Sequence, residues 1–171
     1  MRPPFSRFLA LSSTERGLLA RAFLYLWIVD LGLWLLGFQR LVEGAPAPDA
    51  ENPAVTSGEN LQRAHTYAHW LAVASRHHVV RARCLHRSLA LHHWLRRQGF
   101  ASDFRIGVRK EAERISAHAW VEIDGQVVND RASSITAFAV LRAPGERIGM
   151  SVHSRTSGEW LPRASSTAWA P

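Results

Sequence analysis

Hydrophobic residues recur at helical spacing in three segments of the chain. A long apolar run over residues 14–42 predicts one long helix or two. Apolar positions three and four residues apart predict a further helix over residues 59–75 and another over residues 84–98. Gly99 follows the last of these helices in the position where glycine commonly ends a helix. The first 100 residues are therefore predicted to be mainly helical.

The apolar segment 14–42 raises the question of a membrane span, since about 20 apolar residues cross a bilayer. Ser13 or Thr14 is expected to cap the free amides at its start. Arg21 and Asp30 interrupt the apolar run, and a buried charge makes a lone span unfavourable. We therefore expect a helical hairpin or a bent helix that packs on the core, on a membrane surface or on a partner protein.

After residue 100 the hydrophobic pattern changes to alternation, which predicts strands. Residues 101–109 and 117–123 are strand-like, and residues 109–116 are expected to form a polar loop between them. Residues 126–130 are expected to pair with the second strand through the Asp-Gly turn at 124–125. Helices followed by an antiparallel sheet predict an α+β fold.

Composition shifts divide the chain into four parts. Residues 1–42 are the apolar helical N-terminal region, and residues 43–58 contain three prolines and two glycines, which predicts a linker. Residues 59–145 form the predicted core domain. Residues 146–171 are rich in Ser, Arg, Gly and Pro and are expected to be an irregular tail.

Composition and charge narrow the classes of function. The chain has 171 residues, of which 47% are hydrophobic, so it can build one globular core. Its single cysteine excludes an internal disulfide and, with no convincing secretory signal, suits a reducing cytoplasm. Most of the net charge of +7 lies in residues 61–131, which attracts anionic partners in general. No nucleic-acid-binding motif accompanies this charge, so we expect no nucleic-acid partner.

The single cysteine, Cys84, stands at the predicted start of a helix with Arg81, Arg83 and Arg87 nearby. A helix N-terminus and neighbouring cations favour the thiolate, which is the nucleophilic form of cysteine. The alternative is that Cys84 is a small buried apolar residue. His118 on a predicted strand supplies a base of the type that a catalytic thiol requires.

The third member of such a triad depends on the register of the hairpin. A two-residue turn would place Asn129 on the same face as His118, as in a Cys-His-Asn triad. A three-residue loop, with Gly125 in a left-handed conformation as a bulge, would place Asp130 opposite His118. The residues alone leave both open.

Several motifs together resemble one known family. They are C-L-H-R-S-L-A-L at 84–91, F-R-I-G-V at 104–108 and S-A-H-A-W-V-E-I-D-G-Q-V-V-N-D at 116–130. Over about residues 80–131 the chain resembles the transglutaminase-like cysteine peptidases of lasso peptide biosynthesis. The resemblance implies a papain-like core with the nucleophile at a helix N-terminus that packs on an antiparallel sheet.

The resemblance also implies roles for three residues. Cys84 would be the nucleophile, His118 the general base and acid, and Asp130 the orienting carboxylate, with Asn129 as the alternative. It favours the bulged register for the hairpin, which we therefore predict. The backbone amide of Cys84 is the expected oxyanion donor.

The function implied is removal of the leader from a ribosomally made lasso precursor, which exposes the core N-terminus for a cyclase. The chain resembles the stand-alone subunit of the split type, so its implied partners are the precursor leader, a separate leader-recognition protein and an asparagine-synthetase-like, ATP-using cyclase. No cofactor is expected, and ATP dependence of the overall maturation stays open. Residues 14–42 are a candidate surface for these proteins or for a membrane. Two alternatives remain: a transglutaminase or acyltransferase on the same triad, and a catalytically silent partner-binding module.

Other polar and aromatic motifs carry weaker signals. His65 and His69 have helical i, i+4 spacing, but no glutamate or third ligand accompanies them, so no metal site is expected. Trp120 is expected to face away from His118 and to belong to the core.

Overall fold

The computed structural model describes residues 11–47, 58–78, 84–111 and 114–141. The N-terminal half consists of four helices: α1 (Ser13–Leu35), α2 (Phe38–Glu43), α3 (Gly58–Ser75) and α4 (Cys84–Arg97). The C-terminal half contains strands β1 (Ser102–Glu111), β2 (Arg114–Ile123), β3 (Gln126–Val127) and β4 (Ala139–Leu141), with a short helix α5 (Ala132–Ile135) before β4. This architecture confirms the predicted α+β class.

Helix α1 begins one residue earlier than its predicted caps. Ser12, rather than Ser13 or Thr14, is the N-cap, and it forms a capping box with Glu15. The backbone N–H and the hydroxyl of Ser12 both donate to the Glu15 carboxylate, each at 2.8 Å. These hydrogen bonds lower the pKa of Glu15. The correction is small, but the reciprocal bonds satisfy two groups that the helix itself cannot.

One face of α1 is buried against α3 and α4 and belongs to the common hydrophobic core. Ala22, Leu26 and Val29 are fully buried on this face. By length and composition α1 could cross a membrane. Its opposite face is an exposed apolar stripe, which we define as Leu24, Trp27, Ile28, Leu31, Trp34 and Leu35.

Helices α3 and α4 agree closely with their predicted boundaries. Helix α4 ends with Gly99 at φ 83°, and the Phe100 N–H donates to the Leu95 carbonyl at 3.0 Å. This bond across the left-handed glycine is the Schellman arrangement, as the position of Gly99 predicted.

The four strands form one antiparallel sheet in the order β3-β2-β1-β4. Strands β1 and β2 pair over ten residues each, up to Glu111 opposite Arg114. The predicted polar loop over residues 109–116 is therefore wrong for most of its length. Cross-strand pairing extended both strands into sequence whose polar side chains favoured a loop.

The β2–β3 turn is the plain two-residue form, so the predicted bulge is wrong. Ile123 faces Gln126, and Asp124 and Gly125 have φ values of 47° and 75°. Two consecutive positive φ angles are typical of a type I′ turn, whose twist matches that of the flanking strands.

The two faces of the sheet have different neighbours. Phe104 and Val121 lie opposite each other on the face that joins the helical core. His118 and Trp120 lie on the other face, and their rings stack with centroids 6.3 Å apart. The expectation that Trp120 faces away from His118 is wrong, because residues two apart on a strand share a face. Trp120 is nevertheless buried, with 1% of its surface exposed.

Candidate active site

His118 and Asp130 are in direct contact. The Nε2 of His118 lies 2.6 Å from Oδ2 of Asp130, and both side chains are about three quarters buried. An ionised carboxylate only accepts hydrogen bonds, so this contact places the ring hydrogen on Nε2 and leaves Nδ1 as the basic nitrogen. The Arg131 N–H donates to the other carboxylate oxygen of Asp130 at 2.7 Å, which fixes the carboxylate at both ends.

Asp130 reaches His118 although the hairpin has the register that favours Asn129. Strand β3 contains only Gln126 and Val127, and the Val128 N–H still donates to the Val121 carbonyl at 3.0 Å. Beyond Val128 the chain leaves the ladder, so strand alternation no longer decides which side chain faces the imidazole. The predicted residue is therefore the one in contact, but for a different reason from the one proposed.

Asn129 performs a different task, at the edge of β2. Its Oδ1 accepts from the Val121 N–H at 2.9 Å, and its Nδ2 donates to Ser88 Oγ at 2.8 Å. Ser88 in turn donates to the Ala119 carbonyl at 2.8 Å. These bonds tie α4 to β2 immediately beside His118. Sequence reasoning missed Ser88; its signal is a hydroxyl at a position of α4 that is otherwise apolar.

Cys84 is the first residue of α4 and is partly buried. Ser88 lies four residues further on, which is about one turn and about 6 Å along the same face of the helix. Because Ser88 bonds to the residue after His118, α4 is joined, one turn beyond Cys84, to the strand that carries the histidine. The first N–H groups of α4 have no acceptor within the helix itself, so the Cys84 end is the electropositive end of α4. Arg87 is described and partly buried, whereas Arg81 and Arg83 lie outside the described residues.

Aromatic rings surround the imidazole on its face of the sheet. The Phe138 ring lies 5.5 Å from the His118 ring, and the Arg109 guanidinium lies 4.7 Å above Phe138. Gly107 is the cross-strand neighbour of His118, and a Cβ there would come within 2.8 Å of both Phe138 and Trp120. The missing side chain at Gly107 therefore leaves the space in which these rings pack.

His65 and His69, which are spaced four residues apart on α3, make structural contacts. His65 Nδ1 lies 3.0 Å from the Val128 carbonyl, and the His69 ring packs edge-on against Trp70. Within the four described ranges, no three His, Cys, Asp or Glu side chains are grouped as metal ligands would be.

His92 is buried where α4 meets β1. Burial lowers the pKa of His92 to about 3, with smaller contributions from Arg96 and His93. Its Nδ1 lies 3.0 Å from the Ser102 hydroxyl, which gives the neutral ring a buried hydrogen-bond partner.

Comparison with known proteins adds one finding. Residues 25–143 match the family model described as the transglutaminase-like superfamily. No curated protein and no solved structure matches the chain. The matched segment includes Cys84, His118 and Asp130, and it begins inside α1.

Proposed function

Because the chain belongs to the transglutaminase-like superfamily, we propose that it is a cysteine peptidase whose triad is Cys84, His118 and Asp130. The observation that carries this proposal is the 2.6 Å contact of Asp130 with His118, whose strand β2 is joined by Ser88 to the helix that begins at Cys84. The superfamily generally contains Cys-His-Asp enzymes, and its fold suits cysteine peptidases and acyltransferases.

In the proposed reaction His118 first removes the thiol proton of Cys84 through Nδ1. The thiolate sulfur attacks the carbonyl carbon of the scissile amide, and the Cys84 N–H stabilises the resulting oxyanion. The C–N bond then breaks as the leaving amine takes the proton from the imidazolium, which leaves a thioester on Cys84. A water molecule gives a proton to His118 and attacks the thioester, which releases the carboxylic acid and restores the thiol. Asp130 orients the ring and stabilises its charged form throughout.

The proposed substrate is a ribosomally made lasso precursor, cut between leader and core. The support for this is the sequence resemblance over residues 80–131, which is narrower than the superfamily. Under this proposal the enzyme is cytoplasmic, a separate leader-recognition protein delivers the precursor, and an ATP-using, asparagine-synthetase-like cyclase takes the released core.

Mass spectrometry of a precursor incubated with the purified chain tests the proposal, with the leader-recognition protein added in parallel. We expect wild type to release the free leader acid and the core amine, and Cys84→Ser to release neither. Ser133→Ala is a matched control at an exposed serine in α5, and we expect it to behave as wild type. Cleavage that persists in Cys84→Ser would rule out the thiol mechanism.

The same experiment separates the two alternatives. A transglutaminase or acyltransferase would transfer the acyl group to an added primary amine, which gives a product of different mass from the hydrolysed leader. A silent binding module would leave the precursor intact, and its Cys84→Ala variant would keep the biological activity of wild type.

We also propose that the exposed apolar stripe of α1 lies on an anionic membrane surface. Two tryptophans lie in the stripe, and Trp34 is 80% exposed. Arg21 and Arg97 border it, since both line a groove with Leu24 and Ile28. Apolar residues flanked by cations suit the interface of an anionic bilayer.

Co-sedimentation with phosphatidylglycerol-containing vesicles tests this surface. We expect wild type to sediment and Leu31→Gln/Trp34→Gln to remain in the supernatant. Ile115→Gln is the matched control, because Ile115 is 77% exposed but lies on β2 outside the stripe. Equal sedimentation of the stripe variant and wild type would overturn the membrane proposal. The proposal would also fail if wild type dimerised or bound the leader-recognition protein but did not sediment with vesicles.

A further inference from the structure

Asp30 is a carboxylate in the C-terminal half of α1, within the apolar stretch that follows Arg21. Its side chain is only 11% exposed, and its two oxygens contact two different histidines. Oδ2 lies 3.4 Å from Nδ1 of His78, and Oδ1 lies 3.4 Å from Nε2 of His86. Burying a carboxylate costs free energy unless neighbouring polar groups compensate it. The two histidine rings are the neighbouring groups that the structure places beside Asp30.

The two histidines lie on either side of the segment that leads to Cys84. His78 follows the end of α3, and His86 lies in the first turn of α4, two residues after Cys84. The described chain stops at His78 and resumes at Cys84. A single carboxylate thus contacts both ends of the connection between the two helices.

His78, at the start of this connection, packs against α1. Its side chain is 1% exposed, and its ring lies 5.1 Å from the Trp27 ring and 6.5 Å from the Phe23 ring. Phe23, Trp27 and Asp30 are spaced four and three residues apart, so they lie on adjacent turns of one helix face. That face of α1 therefore packs against His78, and Asp30 on the same face also contacts α4 through His86.

We propose that Asp30 is a positioning residue, which fixes the N-terminal turn of α4 through His86 and thereby the sulfur of Cys84. The inference rests on the proposed function for its consequence in catalysis. In this arrangement α1 sets where the Cys84 thiol lies relative to His118.

Alkylation of the native protein by iodoacetamide tests the positioning without any peptide substrate. The chain has one cysteine, so the rate reports on Cys84 alone. We expect Asp30→Asn to slow alkylation at least threefold, because a first turn of α4 that His86 no longer holds moves the thiol away from His118, the proposed acceptor of its proton. Removal of a negative charge without displacement would instead speed alkylation, so the sign separates the two effects.

Cleavage kinetics supply the second readout. We expect Asp30→Asn to lower kcat about tenfold with KM within twofold of wild type, at a temperature where both are folded. Asp103→Asn removes a 59% exposed carboxylate on β1 and serves as the control. His86→Gln, at a 21% exposed side chain, breaks only the link to α4 and gives the same test if Asp30→Asn does not fold. The double variant should be no slower than either single variant.

The results distinguish the two proposals. Slower alkylation in Asp30→Asn, with no peptide cleaved even by wild type, would support the positioning role and count against the proposed function. A different result would overturn the positioning role alone. In that result wild type cleaves the peptide, and both Asp30→Asn and His86→Gln show alkylation rates and kcat that are unchanged or higher.

Discussion

Asn129 and Asp130 are neighbours in the chain, but they support different parts of the site. Asp130 binds the His118 ring, whereas Asn129 joins Val121 to Ser88. The first contact concerns the orientation and charge of the base, and the second concerns the packing of α4 on β2. Substitutions at the two positions should therefore affect different measurements.

We predict that Asp130→Asn lowers kcat by about 10²- to 10⁴-fold with little change in the free energy of unfolding, because the amide no longer stabilises the charged imidazole. Asn129→Ala should retain kcat within about tenfold but lose about 1–3 kcal/mol of stability, because the Val121 N–H loses its acceptor. Peptide cleavage and urea unfolding of both variants provide the check. The reverse pattern would make Asn129 the third member of the triad.

His92 gives the protein a pH-dependent stability. Its pKa is lowered to about 3 in the folded state from about 6.5, so the unfolded chain binds the extra proton between these values. The contribution of His92 to the free energy of unfolding is therefore fully present above pH 6.5 and falls as the pH decreases towards 3. We predict a loss of about 2 kcal/mol from this group between pH 7.5 and pH 5. Urea unfolding at both pH values should show it, and His92→Gln should reduce the difference between them.

At the scale of elements, the β1–β2 hairpin depends on Gly107. A methyl group there would meet the Trp120 ring and the Phe138 Cβ, both at 2.8 Å. We predict that Gly107→Ala destabilises the protein by about 1–3 kcal/mol, as overpacking commonly does, and lowers kcat by displacing the rings beside His118. Thermal unfolding and cleavage assays measure the two effects. Gly17→Ala, at an exposed glycine of α1 with no neighbour within 4 Å, is the control that should not lose stability.

The elements that the sequence predicted well are those whose signals are local. Helices α3 and α4 have regular apolar spacing, and Gly99 ends α4 as expected. The hairpin register was predicted wrongly because it depended on a choice between two turn types that both suit Asp-Gly. The contact of Asp130 with His118 depends on where β3 stops, and pairing with another strand decides that rather than any local signal.

At the scale of the whole molecule, α1 is part of the core on which the candidate site rests. Ala22, Leu26 and Val29 are fully buried, and the family match begins at residue 25. We predict that deletion of residues 1–42 yields a protein without cooperative unfolding, because the exposed core surface of α3 and α4 would be large. Circular dichroism during urea titration tests this. A folded truncated protein with a single transition would show that α1 is dispensable for the core.

The α+β class could be predicted from the sequence, because the change in hydrophobic periodicity carries it, and the motifs around Cys84 and His118 singled out those two residues as candidates. Asp130 was favoured over Asn129 only by the family resemblance. The contacts of Asp30 and Ser88 could not be predicted from the sequence. Asp30 lies more than 45 residues before its histidines, and Ser88 is 31 residues from Ala119. Such pairs form only when packing brings separate elements together, and no pattern along one chain records them.

The hydrogen bonds of Ser88 and Asn129 have a further consequence for how copies of this protein behave in solution. Strand β3 covers only the end of β2, so the backbone groups of Ala119 and Val121 would otherwise lie at an open sheet edge. Open edges recruit strands from other molecules, which leads to aggregation. Here the Ser88 hydroxyl donates to the Ala119 carbonyl, and the Asn129 side chain accepts from the Val121 N–H. The bonds that hold α4 against β2 thus also protect this part of the sheet from intermolecular pairing.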